Sequence, residues 1–516
     1  MNEKSSNKTI AKNTVFLYFR MMITMVVSLY TSRVVLQVLG IDDFGIYQTV
    51  GGVVGMLSFV NNALATGSSR FLTFELGTGN SVKLKRTFST ILSAHIVLAF
   101  AIALMAETVG LWFVYQKLLI PPERMNAAVF AYHFSILTTM VHLTQVPYNA
   151  SIISHERMYI FAYASIVDVA LKLLIVYLLT LGGYDKLMLY AVLYFLVTLG
   201  MTLFYRFYCV TKFSETIYKF IIDKIIIKDV LGYSGWNLLA NTSIALNNHG
   251  MVIALNIFFS PAVVTARAMA NQASLAAYHF ITNILTASRP QIVKRFAAKD
   301  YEGSKMLLLD TTRYSYYLML FLALPIVLLA HPLLHLWLGQ VPSYSVIFLQ
   351  LAVVSCLFQV FDTSFYTALY AKGQIRENAL ISPMVGFISF PIVYVLFKFG
   401  FSPVVAGWAG VIGYFLLAVF IKPFLIIKFV NYTWKDIISV FIPCIKVTLC
   451  SLPLPILTCC FWQDKGGVTM QIIRFVCIVV VSIISVGSSC WFWGLEKSIK
   501  TKFKLLILSK IAVFKS

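Results

Sequence analysis

Charge is what this sequence has least of, and acidic charge least of all. Only 12% of its 516 residues are Asp, Glu, Lys or Arg, and Asp plus Glu number 20 against 41 Lys plus Arg. A soluble globular chain carries roughly 25% charged residues, so half that level with 59% hydrophobic residues excludes one. The mean hydropathy of +0.83 agrees. There is no GxxxxGK[ST] stretch, and no inner connection is long enough for a nucleotide-binding domain, so ATP hydrolysis within this chain is excluded. The eight cysteines show no metal-ligand or disulfide spacing and read as small apolar packing residues.

What is present is a series of long apolar runs. A membrane-crossing helix needs roughly 20 mostly apolar residues. Fourteen segments qualify, near 13–39, 44–69, 87–112, 125–150, 158–181, 187–208, 230–258, 262–288, 307–338, 343–371, 377–399, 402–427, 437–461 and 470–494. The first is too long to be a cleaved signal and reads as a retained span. The expected fold class is therefore an all-α integral membrane protein of 14 transmembrane helices. With the N-terminus inside, most Lys and Arg fall in the even connections and the two tails, and about a dozen residues is the limit of any outer loop. The positive-inside rule then places both termini in the cytoplasm. The net charge of +21 reflects this bias and an affinity for anionic membrane lipids, with no need of nucleic acid.

The chain also has an internal echo. "NNALATGSSRF" at 61–71 and "TNILTASRPQI" at 282–292 both bring Asn, Thr, Ser and Arg to the inner end of a span. Six spans each would form two pseudo-symmetric lobes, 1–212 and 213–430, followed by two extra helices and a basic tail at 431–516. Such repeats place a substrate path between lobes.

Polar residues recur on single helix faces at 100° per residue. Arg20, Thr24, Ser28, Thr31 and Asn13 share one stripe of the first span, with Arg33 nearly opposite. Asn237, Asn241 and Asn248 align on the seventh span. Arg267, Asn271, Ser274, Tyr278 and Thr282 align on the eighth. Hydroxyls and amides of this kind commonly join helices. An arginine costs at least about 2.5–3.5 kcal/mol near the bilayer centre unless it snorkels to a headgroup. The candidates for substrate binding are Arg20, Arg267, Asn237, Asn241, Asn248, Asn271, Tyr278 and Arg33. Intramembrane carboxylates are few. Asp168 has Lys172 four residues on and reads as an ion pair or a coupling site; Asp362 has no basic neighbour at helical spacing and reads as a protonated core acid or a coupling site. His95, His133 and His142 show no shared ligand spacing, and Glu107 reads as interfacial.

"SRVVLQVLGIDDFGIY" followed by a second span ending "GSSRF", and "GWNLLANTSIALNNHGMVIALNIFFSPAVVTARAMANQ" at 235–272, resemble polysaccharide flippases of the Wzx type. These belong to the multidrug/oligosaccharidyl-lipid/polysaccharide exporter (MOP) superfamily. The resemblance implies a MATE-like, two-lobed carrier in a bacterial inner membrane. Its substrate would be an undecaprenyl-diphosphate-linked oligosaccharide (an O-antigen, capsule or exopolysaccharide repeat unit), turned over without covalent chemistry. It implies no cofactor beyond H⁺ or Na⁺ as a coupling ion, and a polysaccharide polymerase and glycosyltransferases as partners. A cation-coupled multidrug exporter of the same fold is the alternative. A polytopic lipid-linked glycosyltransferase would use Asp42 and Asp43 as a metal pair, but it wants a long first outer loop. With a short turn at Gly40, the two aspartates are expected to cap the second helix.

Overall fold

The computed structural model describes residues 22–57, 59–155, 157, 159–181, 183–461, 468–495 and 500–501. Among the described residues every regular element is helical. In chain order these are α1 (Met22–Leu39), α2 (Ile41–Leu57), α3 (Phe59–Thr78), α4 (Ser81–Met105), α5 (Leu111–Lys117), α6 (Met125–Ser154), α7 (Tyr159–Leu179), α8 (Lys186–Lys212), α9 (Lys224–Ala245) and α10 (Met251–Phe258). They continue with α11 (Pro261–Ala297), α12 (Tyr301–Leu328), α13 (Ala330–Leu338), α14 (Ser345–Lys372), α15 (Ile375–Lys398), α16 (Val405–Leu416), α17 (Lys422–Val430), α18 (Trp434–Ser451), α19 (Pro453–Phe461) and α20 (Val468–Ser489).

Eleven helices among the described residues are long and apolar enough to cross a membrane. The expected spans near 44–69, 230–258 and 262–288 are covered by α2–α3, α9–α10 and α11, which fall outside the eleven. Their polar residues, such as Asn241, Asn248, Arg267 and Asn271, lower their hydropathy. Large apolar side chains such as Phe207, Phe399, Phe461 and Trp493 are exposed, which suits a lipid-facing surface and not a watery one. The chain is a multi-pass membrane protein of all-α, MATE-like architecture.

The basic connections expected at 70–86 and 289–306 are largely helical. Helix α3 runs on to Thr78 and α4 starts at Ser81, with Asn80 capping it by accepting Lys83 N–H at 3.0 Å. Helix α11 has 37 residues and so measures about 55 Å, more than the roughly 30 Å of hydrocarbon. Its last turn carries Lys294 and Arg295, where cations meet the negative end of the helix dipole.

Packing divides the chain into two compact units. Unit 1 comprises 1–269, 338–345 and 379–406; unit 2 comprises 270–337, 346–378 and 407–516. These units are drawn from compactness, whereas the lobes at 1–212 and 213–430 rest on the internal echo, so the lobes stay a proposal. In unit 1, α6 packs on α8, α4, α3 and α2, while α9 packs on α3. Phe88, Ile91, Tyr148, Ile152 and Cys209 are fully or almost fully buried there. In unit 2, α12, α18 and α20 pack together. Lipid tails are as apolar as leucine, so close packing and interhelical hydrogen bonds hold such a bundle together. Tyr316 Oη to Thr448 Oγ1 at 2.9 Å is one of these bonds.

Candidate functional site

The turn between α1 and α2 is made by Gly40 at φ +82°, a conformation that costs other residues energy. Gly40 C=O accepts the first α2 bond, from Phe44 N–H at 3.2 Å. The cap position therefore belongs to Gly40, and the expected capping role of Asp42 and Asp43 is corrected. Asp43 is engaged elsewhere. Arg124 donates to both its carboxylate oxygens, Nε to Oδ1 at 2.8 Å and Nη2 to Oδ2 at 2.6 Å, and also to Asp185 from Nη1 at 2.5 Å. Asp185 meanwhile caps α8, accepting Leu187 N–H at 3.0 Å and Met188 N–H at 3.1 Å. One guanidinium fork thus ties the starts of α2, α6 and α8 together. Hydrogen bonding from Arg124 holds the Asp185 carboxyl below its ordinary pKa, while burial pushes Asp43 up. Asp42 is exposed.

Farther along unit 1, the chain between α9 and α10 winds as a π-helix over Leu246–Gly250. Such inserted turns disturb the ordinary backbone ladder and recur at functional sites. Asn247 C=O accepts a bond from Arg267 Nη2 at 3.3 Å. Arg267 Nη1 is buried without a hydrogen-bond partner. Among the described residues this guanidinium forms no ion pair. Helix α15 approaches closely because residue 386 is glycine: a Cβ there would meet Ser243 Oγ at 2.1 Å and Asn247 Nδ2 at 2.2 Å. A desolvated guanidinium lacking a counter-charge is costly, and what it lacks is an anion.

Unit 2 holds a cation of the opposite kind. A π-helix over Leu417–Ile421 runs directly into Lys422, which is 3% exposed. Its Nζ lies 3.1 Å from Asp362 Oδ1, donates to Asn378 Oδ1, and stands 5.3 Å from the centroid of the Tyr366 ring. The ammonium is within ion-pair distance of Asp362 Oδ1 without pointing a hydrogen bond at it, and Oδ1 is otherwise unpartnered. Lys422 falls within the expected span near 402–427 and is a buried intramembrane charge. One turn away, Tyr278 Oη meets Thr363 Oγ1 at 2.7 Å and donates to Gln359 C=O at 3.1 Å.

The other expected residues are distributed as follows. Arg20 and Asn13 lie outside the described residues, as does the side chain of Asn237. Arg33, Asn241 and Asn271 are half-buried, and Asn248 is exposed. It is Asn247, one position earlier, that meets Arg267. Asp168 pairs with Lys172 at 2.8 Å. His133 pairs with Glu107 at 2.9 Å beside the π-helix at Ala106–Gly110, both half-exposed. His95 is buried, with Nδ1 on Ile91 C=O at 2.9 Å.

No protein-family model and no curated protein sequence matches the chain. Solved structures do. The lipid II flippase MurJ in an inward closed conformation superposes with a TM-score of 0.68 at 11% identity, covering 91% of this chain and 97% of that one. An inward-facing multidrug resistance transporter of the MATE family and MOP superfamily gives 0.64 at 14% identity, over 81% and 98%. A MOP superfamily transporter from Pyrococcus furiosus, described as having a binding pocket of reverse polarity, gives 0.56 at 16% identity, over 81% and 96%. These neighbours are transporters and flippases. At such identities what is shared is the architecture, and this chain has the fold common to the lipid II flippase MurJ and the MATE transporters.

Proposed function

We propose that this chain is a Wzx-type flippase that carries an undecaprenyl-diphosphate-linked oligosaccharide across a bacterial inner membrane, with both termini in the cytoplasm. The observation that carries the reading is Arg267. A guanidinium fork is always charged and matches phosphate oxygens bidentately, and here one of its nitrogens is buried with nothing to bind. The shared fold of a lipid II flippase over 91% of the chain supports a substrate of this class. Transport would proceed by alternating access of two lobes. Arg20, Arg33, Asn237, Asn241, Asn248, Asn271 and Tyr278 are proposed as further substrate contacts. Asp362 or Asp168 would couple transport to H⁺ or Na⁺. A polysaccharide polymerase and glycosyltransferases are the proposed partners.

A cation-coupled multidrug exporter is the second reading, favoured by the MATE neighbours and by Asp362. Such a protein would want an acidic ligand site and should tolerate loss of Arg267. The glycosyltransferase reading is weakened by Asp43, whose two oxygens are occupied by Arg124. The test is complementation of a strain lacking its oligosaccharide flippase. Restored surface glycan by the wild-type chain is expected; drug resistance with no restored glycan would overturn the proposal in favour of the exporter.

A further inference from the structure

Unit 1 contains a second polar cluster, of which the foregoing uses only Asp168, as a proposed coupling site. Tyr47 of α2 packs edge-on against Tyr190 and Tyr194 of α8, with ring centroids 4.7 and 6.4 Å away. All three side chains are half-buried. Among the described residues none of their hydroxyls has a hydrogen-bond partner. The Lys172 ammonium stands 6.0 Å from the Tyr194 ring centroid and pairs with Asp168 at 2.8 Å.

Depth makes this arrangement informative. Asp168 and Lys172 occupy the middle of the 21-residue α7, and their side chains are 32% and 36% exposed. Charges at that depth are costly against hydrocarbon and face a protein interior or a wet cavity. Together the cluster offers aromatic surface, three hydroxyls, a cationic donor and an anionic acceptor on α2, α7 and α8.

We propose that this cluster lines a wet recess that serves as a sugar-binding subsite and receives one pyranose ring of the carried glycan. A sugar ring has apolar C–H faces that rest on aromatic rings, and hydroxyls that both donate and accept. Asp168 supplies acceptors and Lys172 donors, and the pair is neutral together, so an uncharged sugar satisfies both. A lipophilic cation would instead have to displace Lys172 from Asp168. The choice of a glycan as ligand rests on the flippase reading, whereas the polar and aromatic cluster stands on its own geometry.

Saturation-transfer difference NMR tests the subsite on the full chain in lipid nanodiscs, with D-glucose, D-galactose and N-acetyl-D-glucosamine as separate probes. Ring protons of at least one sugar should be saturated. The double variant Tyr190→Phe with Tyr194→Phe keeps the rings and removes two hydroxyls; it should weaken that binding roughly five- to tenfold, the effect of one or two hydrogen bonds. Asp168→Leu with Lys172→Met should weaken it further. Tyr184→Phe, on an exposed tyrosine, should leave it unchanged. Absence of saturation for all three sugars, or equal affinity in both double variants, would overturn the subsite. A parallel titration with undecaprenyl diphosphate separates the two claims. Lipid binding without sugar binding sinks the subsite alone, and sugar binding without lipid binding supports the subsite while sinking the flippase.

Discussion

Arg267 in unit 1 and Lys422 in unit 2 each stand beside a π-helical turn, but their electrostatic situations are opposed. Lys422 is almost wholly buried and matched by Asp362 and Asn378. Arg267 has one backbone carbonyl and a vacant, buried Nη1. A matched charge in a low-dielectric site holds a fold in one arrangement; an unmatched one waits for a ligand. Under the proposed function, the inserted turn beside Arg267 serves recognition, while the one beside Lys422 stands next to a compensated charge. What distinguishes them is the carboxylate.

The comparison is broken most forcefully at Lys422. Lys422→Ala leaves Asp362 without its cation and should cost about 3–5 kcal/mol, as loss of one partner of a buried pair does. Lys422→Met with Asp362→Leu should recover most of that loss. Thermal melting of purified protein in nanodiscs measures both, and a double variant as unstable as the single would show that the pair does not act as a unit.

Arg124 asks whether compensation belongs to unit 2 alone. It is 29% exposed and serves Asp43 and Asp185, so Arg124→Ala should cost less, about 1–3 kcal/mol. The pH dependence has a definite sign. Asp185 is held below its ordinary pKa, so its stabilisation is complete above that value and fades as pH falls through the acid range. Asp43 is shifted the other way by burial and opposes this trend. The wild type should therefore lose stability on acidification mainly through Asp185, and Arg124→Ala should lose less.

Asp42 gives the smallest effect. It is exposed in the first turn of α2, and Asp42→Asn should cost no more than about 0.3–1 kcal/mol, the value of a charge at a helix dipole. Asp43→Asn should cost several times as much, because it disrupts the Arg124 fork. Equal melting of the two variants would return both aspartates to the same role.

Much of the fold is legible in the sequence because apolar length and Lys/Arg bias report on the membrane directly. The ends of the helices are not, because basic turns such as the first of α4 and the last of α11 read as loops until the helix is seen to continue. The site is legible only where one helix carries it. Asp168 and Lys172 are four residues apart on α7 and were readable as a pair. The partners of Asp43 and Asp185 lie 81 and 61 residues away, and Lys422 sits at Pro423 near the end of an apolar run, so no helical spacing reveals them. A wheel at 100° per residue aligns Asn248 with Asn241, but it does not foresee the π-helix at Leu246–Gly250, which adds a residue to the turn. Nor can it show that Arg267 meets the backbone carbonyl of Asn247.

The central claim is that the vacant Arg267 nitrogen serves a diphosphate. Its most direct measurement is binding of undecaprenyl diphosphate to the full chain in nanodiscs, compared among wild type, Arg267→Lys and Arg267→Ala. The account predicts an ordered loss. Lysine should keep the charge but weaken binding roughly tenfold through loss of the bidentate fork, and alanine should weaken it by a further large factor, with melting temperatures not lowered. Equal binding by wild type and Arg267→Ala would contradict it.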